Sequence, residues 1–256
     1  MSDYTKFIAS VKQKTGIDLS LYKEAQMKRR LTSLYEKRKC KNFNEYFELI
    51  RNDRTMMDEF LDRMTINVSE FYRNSQRWEV LDNKILPQLL RKNKKLKCWS
   101  AACSTGEEPY SMSMVLSNHV PMKDISISAT DLDNGVIEKA KVGLYPERSL
   151  KEVPPAIKQK FFKQEGQFFQ VTDEVKKTVT FKQHNLLDDA YGNDYDLIVC
   201  RNVMIYFTEE AKEQIYTNFA KALKSGGILF VGSTEQIFSP ERYGLESEDT
   251  FFYKKI

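Results

Sequence analysis

The stretch Trp99 to Ser111, reading WSAACSTGEEPYS, constrains this chain more than any other. An apolar run from Leu96 to Ala102 ends in small residues, followed by Ser104, Thr105, Gly106, two glutamates and Pro109. That is the pattern of a buried strand feeding a tight turn and then a helix. Ser or Thr suits the cap position, acids suit the electropositive first turn, and proline is tolerated there. In open α/β sheets a ligand occupies the crevice outside the carboxyl end of such a strand. Small residues let a ligand approach the backbone, and Glu107 and Glu108 select it. They would repel a pyrophosphate and hold a cation or a ribose diol, which favours a methyl-sulfonium cofactor over a dinucleotide.

The strand-and-helix rhythm around this motif occupies only part of the chain. From Trp78 onward, helices at Val80–Leu90, Glu107–His119, Val136–Val142 and Glu209–Leu223 are expected to alternate with strands. The strands are Leu96–Ala102, Ile125–Thr130, Val179–Gln183, Leu197–Cys200 and Ile228–Val231, with a final pair at Leu245 and Phe251–Tyr253. Apolar strands separated by helices predict a mostly parallel sheet covered on both faces. Between Tyr145 and Thr180 the rhythm breaks into a polar insertion, where FFQV and TVTF are expected to pair as a small antiparallel flap, about 160–182. The first 64 residues read differently. Phe7 and Val11, then Met27, Leu31, Leu34 and Tyr35, then Tyr46, Phe47, Leu49 and Ile50, then Phe60, Leu61 and Met64 repeat at helical spacing. The expected organisation is a helical domain over 1–64, a linker over 65–77 that contributes to the site, and an α/β domain over 78–256.

Net charge is +4, but Leu21 to Lys41 holds eight basic residues against two acidic ones. Lys23, Arg30 and Lys37 recur every seven residues and predict a basic helical stripe, which faces either a negatively charged partner or solvent. No apolar run approaches the ~20 residues of a membrane span, and MSDYTKFIAS lacks a basic-then-apolar leader. Cys40, Cys98, Cys103 and Cys200 show no CxxC spacing, so no metal site or disulfide framework is expected. A soluble cytoplasmic protein follows as the expectation.

Further polar groups gather at expected strand ends. Asp131, in ATDLD, lies 25 residues after Gly106, where an acid accepts hydrogen bonds from a ribose diol, while Asp133 suits the following helix cap. In HNLLDD, Asn185 is a candidate for an adenine edge with Leu186 packing on the ring, although Asn after a strand also makes turns. In CRNVMIYF, Arg201 and Asn202 emerge at the sheet edge and Tyr206 follows by one helical turn. Upstream, Asn67, Ser69 and Arg73 alternate with apolar residues in MTINVSEFYRN, a mixture suited to draping across a crevice.

Taken in order, NVSEFYR, WSAACSTGEEPYS, ATDLD, HNLL and CRNVMIYF resemble the chemotaxis receptor methyltransferase family, known as CheR, over nearly the whole chain. Ser69, where threonine often stands, and Cys103, where alanine is frequent, are minor departures. The resemblance implies a Rossmann-like class I methyltransferase domain with a small antiparallel insertion and an all-helical N-terminal domain. It implies S-adenosylmethionine (SAM) as donor, S-adenosylhomocysteine as product and receptor glutamates as acceptors, in sensory adaptation. Carried over by motif, Asn67, Ser69 and Arg73 line the cofactor site, Glu108 in preference to Glu107 meets the methionine portion, Asp131 holds the ribose, and Asn185 and Leu186 the adenine. Asn202 and Val203 border the cofactor, and Arg73 or Tyr206 orients the incoming carboxylate. Lys23, Arg30 and Lys37 are then expected to face the cytoplasmic helices of receptors at membrane clusters, with the enzyme a monomer.

The composition supports a carboxylate acceptor. Only His119 and His184 are present, and neither sits in a general-base setting. A glutamate is already ionised near neutral pH and needs alignment and desolvation rather than proton removal. A nucleic-acid methyltransferase would also explain the basic helix, but no NPPY-type sequence or catalytic cysteine pair is present. A non-catalytic SAM-binding scaffold is the other alternative.

Overall fold

The computed structural model describes residues 2–65 and 67–256. The chain forms two compact units, Met1–Asn67 with Met204–Gln214, and Val68–Val203 with Ile215–Ile256.

The first unit is built from helices α1 (Asp3–Thr15), α2 (Glu24–Lys37), α3 (Phe43–Ile50) and α4 (Arg54–Met64). Their ends follow from local chemistry. Ser2, Asn42 and Asp53 accept backbone N–H groups at the starts of α1, α3 and α4, and Gly16 takes the left-handed conformation that ends α1. Asp3 reaches across to accept the amide of Phe43 at 2.7 Å. The core centres on Phe7, fully buried, with the rings of Phe43, Tyr46, Phe47 and Phe60 between 5.2 and 6.3 Å away. Met27, Leu31 and Leu34 are buried as their spacing predicts, whereas Leu49 is surface-exposed. The late segment Met204–Gln214 joins this unit through a bridge between Tyr22 and Phe207, with the Lys23 amide donating to the Tyr206 carbonyl at 2.9 Å.

The second unit opens with α5 (Ser75–Val80) and α6 (Leu86–Lys92), joined by a π-helical turn at Leu81–Ile85, just ahead of Pro87. Next come β1 (Lys97–Ala101), α7 (Glu107–Leu116), β2 (Ser126–Asp131) and α8 (Asn134–Val142). They are followed by β3 (Leu144–Pro146), α9 (Pro155–Phe161), β4 (Phe162–Glu165), β5 (Phe168–Val171) and α10 (Asp173–Lys176). The remainder is β6 (Val179–Gln183), β7 (Tyr195–Cys200), α11 (Glu209–Ala222), β8 (Leu223–Val231), β9 (Leu245–Asp249) and β10 (Phe252–Lys255). The main sheet runs β6-β2-β1-β7-β8-β10-β9, with β6 through β8 parallel and the β9–β10 hairpin closing one side antiparallel. Every residue of β7 is buried, as a strand covered on both faces requires. The chain leaves β1 for β2 on one side and later returns to β7 on the other. The crevice at their carboxyl ends is therefore the switch point where such sheets bind ligands.

The insertion is a separate antiparallel sheet, β3-β5-β4, but its pairing differs from expectation. FFQV pairs with β3 and with β4, across a two-residue connection containing Gly166 at φ 60°. TVTF lies in the main sheet instead, where Val179 to Gln183 run parallel to Ile127 to Asp131. The tight Gly166 turn gives FFQV a local partner, and the edge of β2 takes the later strand. No described helix is long and apolar enough to cross a membrane.

Because Phe7 joins four rings in the first unit, Phe7→Ala should cost about 3–5 kcal/mol. The expected result is a lowered midpoint of urea unfolding followed by circular dichroism.

Candidate functional site

Three segments of unusual backbone converge at the carboxyl edge of β1 and β7. After β1, Ala102 (φ 63°), Ser104 (φ 48°) and Gly106 (φ 97°) all take the left-handed conformation. The Cys103 amide donates to Thr130 O at 2.8 Å and the Ser104 amide to Asp131 Oδ2 at 2.8 Å, so the turn is fastened to the end of β2. The cap of α7 is Gly106 rather than the expected Ser or Thr, and no side chain caps this helix. A Cβ at Gly106 would stand 2.9 Å from Ala140 Cβ and 3.0 Å from the Tyr145 hydroxyl, so both space and φ demand glycine. That freed the neighbouring hydroxyls for other partners. Thr105 donates to Glu107 Oε2 at 2.7 Å, and the buried Ser104 hydroxyl has no protein partner.

The two glutamates have different surroundings. Glu107 is 3% exposed, held by Thr105 and by the Ser69 hydroxyl, with burial raising its pKa. Glu108 accepts the Ser100 hydroxyl at 2.8 Å, and burial pushes its pKa up to about 7 against the pull of Arg201. Asp131, 7% exposed, accepts the amides of Ser104 and Asp133, one on each oxygen, and burial raises its pKa to about 6. Asp133 caps α8 through Gly135, so the two aspartates divide the roles of strand end and cap. The His184 amide donates to Asp131 O at 2.8 Å and brings the HNLL segment alongside. Asn185 there accepts the Leu187 amide at 3.0 Å, the turn-forming role open to it, and Leu186 is buried.

Arg201 is the central cation. It is 7% exposed and lies over the rings of Trp78 (5.4 Å) and Phe230 (4.8 Å); burial lowers its pKa, against the opposing pull of Glu108 and Glu235. Its Nη2 donates to Arg73 O at 2.7 Å and to Asn74 Oδ1 at 3.3 Å, while Trp78 Nε1 donates to the same carbonyl at 3.1 Å. The segment Val68–Asn74, with Tyr72 (φ 52°) and Asn74 (φ 60°) left-handed, is thereby tied down. The Phe71 and Tyr72 amides add bonds to Ser149 O and Ser111 Oγ. The Arg73 side chain folds back on Val68 O at 3.4 Å. Asn202 is left-handed (φ 62°), and its amide donates to Glu235 Oε2 at 2.6 Å.

Ser69, Arg73, Glu107, Glu108, Asp131, Asn185, Leu186, Asn202 and Val203 thus lie in the second unit, and the first unit holds the others. Asn67 donates to Thr65 Oγ1 at 3.0 Å, and Tyr206 carries Arg30, whose guanidinium carbon is 4.9 Å from the ring centroid. The basic stripe is not uniform. Lys23 precedes α2 as its cap residue, Arg30 also donates to Met64 O at 3.1 Å, and Lys37 pairs with Glu59 at 3.4 Å. Beside it a surface depression is lined by Arg29, Arg30, Ser33, Leu34, Lys37 and Arg63. Sequence reasoning missed Ser100 and Glu235. The available signal for the second was an acid three residues beyond Gly232 at the end of a buried strand.

Two family models match the chain end to end. The all-alpha domain of CheR methyltransferases matches residues 2–65, and their SAM-binding domain matches residues 67–252. The chain belongs to the CheR methyltransferase family. Among its relatives, the chemotaxis protein methyltransferase of Listeria monocytogenes is 44% identical over 99% of this chain and 97% of its own length. That of Borreliella burgdorferi is 36% identical over 92% of this chain and 88% of its own, and chemotaxis protein methyltransferase 1 of Pseudomonas aeruginosa 33% over 94% and 93%. As a CheR methyltransferase the chain uses SAM, and its crevice suits that molecule. A glycine-bound turn, an unpartnered buried Ser104 hydroxyl and carboxylates able to accept more hydrogen bonds meet the needs of a cationic donor with a ribose diol.

A carboxylate raised in the folded state binds protons more tightly there than when unfolded. Stability therefore falls as pH rises from the ordinary 4.5 of Glu108 to about 7, and Asp131 acts in the same direction between 3.8 and about 6. Without SAM, Glu108→Gln should melt higher than the wild type at pH 8 and nearly level with it at pH 4.5. A thermal-shift series across that range would reveal the crossover.

Proposed function

We propose that this protein transfers the methyl group of SAM to glutamate side chains of chemotaxis receptors, forming methyl esters and S-adenosylhomocysteine for sensory adaptation. What carries this reading is the commitment of both histidines elsewhere. The His119 ring meets Asp82 at 2.6 Å, and the His184 ring packs edge-on against Trp99 and Tyr191, with burial lowering its pKa. An acceptor that must lose a proton would have to draw on the buried carboxylates Glu108 and Asp131, which this reading gives to SAM, whereas a glutamate arrives ionised. SAM supplies an electrophilic methyl carbon on a positive sulfonium. The chain's residues align and desolvate the two partners, because opposite charges neutralise as the methyl moves and a water-poor site favours that change.

In this reading Asp131 accepts the ribose hydroxyls, Glu108 answers the positive methionine portion, Asn185 and Leu186 border the adenine, and Asn67, Ser69, Asn202 and Val203 complete the wall. Arg73, held by one long bond of its own, orients the incoming carboxylate, and Tyr206 assists. The helical domain over 1–64 faces the cytoplasmic helices of the receptor, with 65–77 as linker and 78–256 as the methyltransferase domain. Lys37, with Lys23 and Arg30, supplies the positive face. The enzyme works as a cytoplasmic monomer recruited to receptor clusters.

Radiolabelled SAM and cytoplasmic receptor fragments provide the test. Label should appear as base-labile ester on the fragments, and its absence there, or its appearance on RNA instead, would defeat the reading. Arg73→Ala should lower turnover by at least about tenfold with S-adenosylhomocysteine affinity checked separately. Tyr206→Phe should also reduce turnover, and near-normal rates in both would remove these residues from the mechanism. Lys37→Glu should raise KM for the fragment several-fold and leave S-adenosylhomocysteine binding unchanged.

A further inference from the structure

The loops that follow β7 and β8 meet on a single buried oxygen. Glu235 is 4% exposed, and its Oε2 accepts the Asn202 amide at 2.6 Å and the Gly232 amide at 2.8 Å. The two loops leave neighbouring parallel strands whose last residues, Cys200 and Val231, are paired in register. Both chains must part at this edge, and one carboxylate holds them together. Charge-assisted bonds of this kind are roughly twice as strong as neutral ones.

Two further observations show that the arrangement is built around this oxygen. Position 232 has no side chain because the carboxylate occupies its place. A Cβ there would stand 2.3 Å from Glu235 Oε2 and 2.9 Å from the Asn202 amide nitrogen. Asn202 holds a left-handed backbone at φ 62°, a conformation that asparagine tolerates better than most residues and that its surroundings hold in place. The bond from its own amide to Glu235 provides that fixation. The preceding residue is Arg201, whose guanidinium is bound to the Arg73 carbonyl, so the same loop also carries the anchor of the Val68–Asn74 segment.

We propose that Glu235 is a positioning residue for the methyl donor. By clasping the Asn202 and Gly232 amides it sets the backbone of Asn202 and Val203 in the conformation that borders SAM. This inference rests on the reading that Asn202 and Val203 line the donor site. Glu235 itself touches no donor atom in this account, and its effect is exerted through the loop.

Three variants separate positioning from general stability. Glu235→Asp keeps the charge but is one methylene short of both amides, Gly232→Ala pushes into the oxygen, and Glu235→Gln keeps an acceptor of the same shape. Calorimetric titration with S-adenosylhomocysteine should show affinity weakened by roughly tenfold or more in Glu235→Asp and Gly232→Ala, and largely retained in Glu235→Gln. Hydrogen exchange should quicken at 201–204 and 231–234, while KM for the receptor fragment stays within about twofold in the weakened variants. In the double variant Gly232→Ala with Glu235→Ala the clash with the carboxylate is gone and only that with the Asn202 amide remains, so its loss should be smaller than the sum of the losses in Gly232→Ala and Glu235→Ala alone. If Glu235→Asp and Gly232→Ala, folded by circular dichroism, bind the nucleoside as the wild type does, the proposal is overturned. If those variants bind weakly but exchange at 201–204 is unchanged, it is overturned as well. Substitution of Asn202 by Gly, which adopts this backbone freely, tests the underlying assignment separately. Retained binding there together with unchanged binding in a Val203→Asp variant would defeat the donor-wall reading itself.

Discussion

Left-handed backbone, held in place by buried hydrogen bonds, is the condition on which the crevice at the carboxyl edge of the sheet depends. Tyr72, Asn74, Ala102, Ser104 and Asn202 all adopt positive φ, at about 1–2 kcal/mol each for Tyr72, Ala102 and Ser104 and less for the two asparagines, which tolerate this region. Tyr72, Asn74, Ser104 and Asn202 are each fixed by bonds at or beside them. The Ser104 amide is bound by Asp131, the Tyr72 amide by Ser111 and the Asn202 amide by Glu235, while the Arg73 carbonyl between Tyr72 and Asn74 receives both Arg201 and Trp78. The fold concentrates its conformational cost at one edge of the sheet and offsets it with bonds that could not form in a relaxed chain.

Electrostatics at that edge follow the same logic. Glu107, Glu108 and Asp131 are each shifted upward by burial, and at Glu108 the positive charge of Arg201 opposes the shift. In the proposed reading, a cationic donor beside these carboxylates relieves part of that desolvation. The arrangement explains why a double acid follows the turn where a dinucleotide-binding chain would need an anion-friendly helix terminus.

Much of this was readable from residue order. Small residues between an apolar run and GEEP announced the strand, turn and helix, and the spacing from Gly106 to Asp131 placed an acid at the neighbouring strand end. Asp133, with its helix-forming successors, was legible as a cap. What escaped was decided by contacts distant in sequence. FFQV found its partner across the Gly166 turn, while TVTF went to the open edge of β2, and alternation alone does not choose between them. Gly106 took the cap from Ser104 and Thr105 because Ala140 and Tyr145 leave no room for a side chain there. Glu235 had only a glycine three residues earlier to mark it. The heptad spacing of Lys23, Arg30 and Lys37 was real, yet it could not show that Tyr206 and Met64 would engage the middle member.

The bridge from Tyr22 to Phe207 has a consequence for biosynthesis. The first unit draws its members from both ends of a long interval, so its last piece is made only after most of the second unit has emerged. A ribosome delivers the four helices early and the closing segment late, with the Lys23 amide waiting for the carbonyl of Tyr206. Closing so long a loop is a slow, late event compared with the local helix contacts. The chain therefore reaches its full helical unit only after the strands β1, β2, β6 and β7 have been made, while β8, β9 and β10 are still to follow.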